Sequence, residues 1–409
     1  MRSPNLPLRY ACAAGLLTLL YGWTTASAAA QVPKTVLWDG QTLERLRRQA
    51  DPALLHAVEA DADKAMSAPL LSVTENQLTP PSGDKHDYMS LAPYWWPNPA
   101  TPNHLPYVRR DGERNPEASA VKDHASFGRM VANVHALAFG YFFTRNEAYA
   151  VRAARQLQVW FLDPATRMNP NLQYAQAVRG VNEGRGTGIL DAQGLADVVD
   201  ALALLDGSKG WTASDDAAMH AWFERYFTWL TTSANGKDEE AAKNNHGSWY
   251  DMQAVAIALY LGNTGFARDV AEAARTRRIA AQIRPDGQQP LEEARTRSFH
   301  YSIYNLEALM RLATEAQAVH VDLWNYRAPD GGSIRAALDD LLPFGEGRMK
   351  WQHQELDGVS MAPLRWPLLV AAVHYDDARY EDAAKKIPGR DVRSLLLELE
   401  FAEVQRAGR

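Results

Sequence analysis

Along most of the chain apolar residues recur at three- and four-residue spacing, the period of a helix with one buried face. The pattern predicts a helix over 43–66, carried by Leu43, Leu46, Leu54, Leu55 and Val58, and another over 118–143, carried by Phe127, Met130, Val131, Val134, Leu137, Ala138 and Tyr141. Further helices are expected over 148–162, stopped by Asp163-Pro164, and over 190–205, ended by Gly207. Thr212-Ala213-Ser214-Asp215 reads as a capping box opening 217–230. The periodicity continues over 248–261, with Trp249, Met252, Val255, Ala256 and Leu259 on one face, and over 266–283, 304–313, 334–342, 363–374 and 392–404.

Two stretches break the period. Residues 79–115 are rich in proline, glycine, asparagine and aromatics, too dense in proline for a regular helix. Residues 169–188 form a polar loop holding Tyr174, Arg179, Glu183 and Arg185. No alternation of apolar and polar positions lasts more than a few residues, so strands contribute little. About a dozen amphipathic helices in consecutive hairpins imply an all-α protein, packed as a bundle, a solenoid or a closed toroid. No repeat of fixed length supports the solenoid. No low-complexity linker divides the chain, which predicts a single domain over 31–409.

The first thirty residues stand apart. Arg2 and Arg9 precede an apolar run over 11–21, too short to span a bilayer, and Ala26-Ser27-Ala28 and Ala28-Ala29-Ala30 offer small-residue cleavage sites. This reads as a cleaved signal peptide over 1–30 and a periplasmic or secreted protein, with no stable membrane association after cleavage. The one cysteine, Cys12, lies inside that segment, so the mature chain is expected to have neither disulfide nor thiolate chemistry. Cleavage removes two arginines and no acid, moving the formal net charge of −6 further negative. Nucleic acid is therefore an unsuitable partner, and any acidic substrate must be drawn into a locally basic cleft. The sequence leaves the oligomeric state open.

Two polar groups could carry chemistry. The first is Asn244-Asn245-His246-Gly247-Ser248-Trp249-Tyr250, at the threshold of a predicted helix. One reading is a helix N-cap with a neighbouring histidine. The other is a ligand-binding corner, because a cap needs one polar side chain and here there are several. The second group is Glu292-Glu293-Ala294-Arg295-Thr296-Arg297-Ser298-Phe299-His300-Tyr301. It reads either as a solvated turn in which the glutamates pair with the arginines, or as a carboxylate-binding arginine beside a phenol whose pKa its charge lowers. Tyr88, Trp95 and Trp96 lie in the proline-rich loop, where they could pack the core or stack on sugar rings, and Arg109 and Arg110 could supply positive charge. No zinc spacing, phosphate loop, dinucleotide fingerprint or serine-hydrolase elbow appears, and no metal or other cofactor is expected.

The runs Tyr88-Met89-Ser90-Leu91-Ala92-Pro93-Tyr94-Trp95-Trp96-Pro97, Gly184-Arg185-Gly186-Thr187-Gly188, Asn244 through Tyr250, and Glu293-Ala294-Arg295 through His300-Tyr301 resemble the alginate lyase superfamily, polysaccharide lyase family five and its helical-toroid relatives. The resemblance covers most of the chain beyond residue 30. It implies an (α/α) toroid of about six to seven helical hairpins, incomplete or closed, with an open cleft. It also implies metal-free β-elimination on a β-1,4-linked polyuronate. Asn245 and Arg295 would neutralise the C6 carboxylate, and His246 and Tyr301 would be base and acid. Tyr88, Trp95, Trp96, Arg109, Arg110, Tyr174, Arg185, Arg297 and His300 would contact the sugar. The spacing from Arg295 to Tyr301 is one residue shorter than in family five, which makes glucuronan or mixed alginate a rival to polymannuronate. A toroidal glycoside hydrolase and a non-catalytic uronan-binding protein are the alternatives.

Overall fold

Side-chain caps set where many helices begin. Asp39 accepts the amides of Gln41 and Thr42 at the start of α1 (Gly40–Gln49), and Asp51 accepts those of Ala53 and Leu54 ahead of α2 (Pro52–Ser67), whose proline occupies the first turn. The computed structural model describes Met1, residues 32–76 and residues 78–407. Apart from Met1, the segment expected to be a signal peptide, with Cys12, lies outside the described residues.

After α2 come α3 (Asp123–Thr144), α4 (Glu147–Leu157), α5 (Leu195–Leu205), α6 (Ala213–Thr232), α7 (Ala234–Glu240) and α8 (Asn245–Tyr260). They are followed by α9 (Thr264–Ala274), α10 (Pro290–Glu293), α11 (Ser298–Ala316), α12 (Ile334–Gly345), α13 (Arg365–Tyr375), α14 (Ala378–Lys385) and α15 (Val392–Ala407). The capping box at Thr212 and Asp215 is present, with both reciprocal hydrogen bonds. Residues 33–409 cluster as one compact unit. Within it α2 packs on α3, α3 on α5, α5 on α8, α8 on α11, α11 on α13 and α13 on α15, and α15 returns to α2. That closed succession makes the fold a helical toroid.

Four short strands line one part of it. β1 (Met89–Leu91) pairs in parallel with β4 (Tyr174–Ala177), Met89 opposite Tyr174 and Leu91 opposite Ala177. β2 (Trp95–Trp96) pairs antiparallel with β3 (Val108–Arg109), Trp95 opposite Arg109. The proline-rich loop is thereby an ordered wall, not a tail.

Helix α8 differs from its expected single apolar face. Residues Gly247 to Ala258 are all buried, since α5, α6, α7, α9 and α11 surround it. Tyr250, Ala254 and Ile257 join the apolar cluster of α2–α6, whereas Trp249, Met252, Val255 and Ala256 join that of α9 and α11–α14. A helix wedged between two cores needs apolar residues all round. Other boundaries shift for local reasons. The helix expected over 43–66 breaks at Ala50, whose φ of 51° is left-handed, and restarts behind Asp51-Pro52. The helix expected over 148–162 ends in a π-helical turn, Gln158–Leu162, and that expected over 266–283 contains one, Arg275–Ala280, close to its end. Helix α7 was unforeseen because Ala-Asn-Gly-Lys-Asp-Glu-Glu carries no apolar stripe.

Candidate active site

The Asn-His corner is held from behind by a buried ion pair. Asp251, fully buried on α8, accepts from Arg277 at 2.7 Å and Arg278 at 2.8 Å, both on the π-helical turn. Arg278 also donates to the carbonyls of Ala242 (2.5 Å) and Glu240 (2.8 Å), fixing the segment that leads from α7 into α8. Gly247 is required there: a Cβ would lie 2.2 Å from both the Ala242 carbonyl oxygen and Arg278 Nη1. The N-cap position belongs to Asn244, whose side chain makes no capping hydrogen bond, and Asn245 is the first helical residue. The cap reading of Asn245 is thus replaced by another arrangement. Its backbone N–H donates to Glu292 Oε1 at 2.7 Å and its side-chain Nδ2 to Glu292 Oε2 at 2.6 Å. The anion at the positive end of α8 is the protein's own Glu292. Burial raises the Glu292 carboxyl, against the pull of the Asn245 hydrogen bonds. His246 follows, with Nδ1 2.6 Å from Glu239 Oε1, a carboxylate 3% exposed. An ionised carboxylate only accepts, so it places the ring proton on Nδ1 and leaves Nε2 as the basic nitrogen.

The second polar group forms the turn between α10 and α11. Thr296 and Arg297 are pinned to the loop after β3: Thr296 Oγ1 donates to the Asp111 carbonyl at 2.8 Å, and Arg297 Nε to the Gly112 carbonyl at 2.9 Å. From the other side the Phe299 N–H donates to Glu355 at 2.7 Å. Arg295 forms a bidentate pair with Asp111, Nε at 3.0 Å and Nη2 at 2.8 Å. Burial would raise the Asp111 carboxyl, but the hydrogen bonds and charge of Arg295 outweigh it and hold it well below the usual carboxylate range. The guanidinium carbon lies 4.0 Å from the centre of the Tyr301 ring. Tyr301 is 7% exposed and its hydroxyl donates to Tyr94 at 2.8 Å. Its phenol shifts opposite to the expected direction: burial pushes it far above its ordinary value, the neighbouring Tyr94 adds to this, and the Arg295 charge does not compensate.

These groups line one cleft of about 580 Å³, together with Tyr94, Trp95, Arg109, Arg114, Gln176, Arg185, Asn244 and His300. Four arginines and one carboxylate, Asp191, face it, so its field is locally positive on an acidic chain. Asp191 is occupied structurally, accepting from Tyr88 at 3.0 Å, Ser90 at 2.5 Å and Gln176 at 2.9 Å. Most glycoside hydrolases work with two carboxyl groups flanking the bond to be cut. Among the described residues the cleft lining offers one.

The structure brings together Asn245, His246, Arg295, Tyr301, Trp95, Arg109, Arg185 and His300 from the expected set. It separates the rest. Tyr88 is 1% exposed and spends its hydroxyl on Asp191, which makes it a core residue and not a sugar contact. Trp96 and Arg110 form their own pair outside the lining, guanidinium to ring centre 5.0 Å, because the strand alternation turns Trp96 away from Trp95. Arg297 pairs with Asp357 at 2.5 Å, and Tyr174 sits half-buried on β4; neither lines the cleft. The glutamates Glu292 and Glu293 do not pair with the arginines as the solvated-turn reading required. The sequence pattern pointed to no part in the site for Tyr94, Glu239, Asp111 or Gln176, and to Glu292 only as a partner of the arginines. Glu292 precedes Arg295 by one helical turn and was within reach; Glu239 and Asp111 are distant in sequence and carry no local signal. Among the described residues no group of three or more His, Cys, Asp or Glu side chains is arranged to hold a metal ion, and no helix is long and apolar enough to cross a membrane.

The toroid and its basic cleft are those of a polysaccharide lyase. An "Alginate lyase" family profile matches residues 72–351, and the chain belongs to the alginate lyase family. It is 36% identical to an alginate lyase from Bacteroides ovatus over 90% of this chain and 99% of that one, with a TM-score of 0.84. Two structures of alginate lyase A1-III complexed with tetrasaccharide, a histidine-to-alanine and a tyrosine-to-phenylalanine variant, share the fold. They are 18% and 17% identical, each over 85% of this chain and over 93% and 95% of theirs, with TM-scores of 0.56 and 0.52. Comparison with curated proteins gave no significant match.

Proposed function

We propose that this lyase acts in the periplasm on a β-1,4-linked polyuronate, alginate or glucuronan, by metal-independent β-elimination. The observation that carries the reading is the convergence of Asn245, His246, Arg295 and Tyr301 on one positively charged cleft. The C5 proton of a uronate becomes removable when the C6 carboxylate beside it is neutralised. Arg295 commits Nε and Nη2 to Asp111, so Nη1 serves the carboxylate together with Asn245. His246 Nε2 takes the C5 proton, the C4–C5 double bond forms as the C4–O4 bond breaks, and the Tyr301 hydroxyl protonates O4. The buried phenol suits the acid role, because it holds its proton at neutral pH. For the C5 epimer whose proton faces Tyr301, the phenol must first ionise, and the adjacent guanidinium favours that form. The product carries an unsaturated uronate at its new non-reducing end. Alginate lyases as relatives, and a tetrasaccharide in the A1-III complexes, support a polymeric acidic substrate.

The test is a panel of polymannuronate, polyguluronate, glucuronan and glycosaminoglycans, read by the ultraviolet absorbance of the unsaturated product with and without exhaustive chelation. The reading expects absorbance on at least one uronan, unchanged by chelator. Absorbance lost to chelator and restored by one divalent ion would sink metal independence.

A further inference from the structure

The Asn245 amide faces the wrong way for the task given to it above. Asn245 is completely buried yet lines the cleft, and its Oδ1 has no hydrogen-bond partner among the described residues. Nδ2 points at Glu292 Oε2, as it must while Glu292 is ionised, since a carboxylate only accepts. In that arrangement the group left for a substrate carboxylate is a carbonyl oxygen, and two acceptors repel. Rotating the amide by half a turn presents Nδ2 to the substrate but sets Oδ1 against Glu292 Oε2. That contact is favourable only when Oε2 carries a proton to donate.

We infer that Glu292 is a positioning residue: a proton on its Oε2 turns the Asn245 amide toward the substrate, so that binding a uronate carboxylate takes up one proton. The exchange balances. In the free enzyme anionic Glu292 accepts from the backbone N–H and Nδ2 of Asn245. In the complex neutral Glu292 still accepts from that N–H through Oε1 and donates from Oε2–H to Oδ1, while Nδ2 donates to the substrate. The orphaned acceptor is thereby satisfied, and no anion faces another across the amide. The surroundings permit it. Glu292 is 1% exposed, and burial already favours its neutral form. The cation nearest it is Arg295, on its own turn, and the His246 ring, on the first turn of α8, adds positive charge only when it holds a second proton. Behind these stand Asp111, paired with Arg295, and Glu239, paired with His246. An arriving substrate carboxylate adds negative charge to this set and draws in the proton.

The inference rests on Asn245 as a carboxylate ligand, and the experiment separates the two. An alginate tetrasaccharide, or one of glucuronan if that polymer is the one turned over, is titrated calorimetrically into Tyr301→Phe enzyme, in buffers of different ionisation enthalpy across a pH series. Uptake of about one proton is expected above the Glu292 titration, and KM of the active enzyme should climb about tenfold per pH unit there, because only the protonated fraction is competent. Glu292→Gln supplies a permanent donor to Oδ1 and an acceptor for the backbone N–H. It should abolish the proton uptake and flatten the KM profile while retaining affinity. No linked uptake in the Tyr301→Phe protein, or the same uptake and slope after Glu292→Gln, overturns the switch. Unchanged affinity in Asn245→Ala overturns the carboxylate-ligand reading and the switch with it. The wild-type KM profile alone decides the matter should Glu292→Gln not fold.

Discussion

Glu239→Gln isolates the hydrogen bond that orients His246. The substitution keeps the size and shape of a side chain that is 3% exposed and does not line the cleft, so fold and substrate contacts should persist. What changes is the 2.6 Å contact to Nδ1. A hydrogen bond to a charged group contributes about 1.5–3 kcal/mol and a neutral one about 0.5–1.5. The difference of about 1–2 kcal/mol corresponds to roughly 5- to 30-fold in rate at about 1.4 kcal/mol per decade, if it is felt in the transition state. A second effect adds to it. The Gln amide can donate to Nδ1, which moves the ring proton to Nε2 and removes the base; the corresponding wrong tautomer in serine-protease triads costs about 10⁴-fold. The expected result is a kcat lowered at least about fivefold with KM nearly unchanged, since the lost energy belongs to proton transfer and not to binding. The assay is the initial rate of product absorbance on saturating polymer, with thermal unfolding as a control on the fold. A kcat within twofold of wild type, on a protein that unfolds at the same temperature, would refute the assignment of the base to His246.

Tyr301→Phe should lower kcat by about 10²–10⁴-fold, the usual contribution of a general acid or base. Tyr94→Phe should cost less, because Tyr94 only receives the Tyr301 hydrogen bond; equal losses would put Tyr94 in the chemistry itself. Arg109→Ala should raise KM and weaken its salt dependence, whereas Arg110→Ala should do neither, since only Arg109 lines the cleft. A salt series in which the two variants behave alike would contradict this. Burial raises the Asp123 carboxyl from 3.8 to about 7, although it accepts the Met89 N–H at 2.9 Å. Its protonated form therefore contributes stability that is complete below about pH 4 and lost as pH rises through about 7. Asp123→Asn keeps an acceptor without the charge, so its melting temperature should gain on wild type between those pH values and hold the gain above. A gap that does not change with pH would show that the shift is absent.

Helical periodicity made the class of fold legible because one apolar stripe per helix is a local property. It did not show closure, which depends on α15 returning to α2 at the far end of the chain. It also misread α8, since a helix packed on all sides differs from an amphipathic one only through neighbours distant in sequence. The site divides in the same way. The Asn-His pair and the Arg295–Tyr301 turn were visible as dense polar groups beside apolar helices. The aromatic loop was visible as a whole, but not which of its aromatics face the cleft: Trp95 does, while Tyr88 is spent on Asp191 and Trp96 on Arg110.

Residue types and their spacing were enough to specify which elements form and which functional groups are available, because helix caps, proline breaks and apolar periods act over a few residues. Tertiary structure alone decided what state those groups are in. Arg295 was available as a carboxylate clamp, but its bidentate face is taken by Asp111, far earlier in the chain. Tyr301 was available as a phenol beside a guanidinium, but burial sets its proton affinity more strongly than that neighbour does. Glu292 and Glu239 became partners of Asn245 and His246 only when the toroid folded α7, α8 and α10 against one another. Burial and charge pairing are sums over everything within a few ångströms, and those neighbours come from parts of the chain that no local pattern connects.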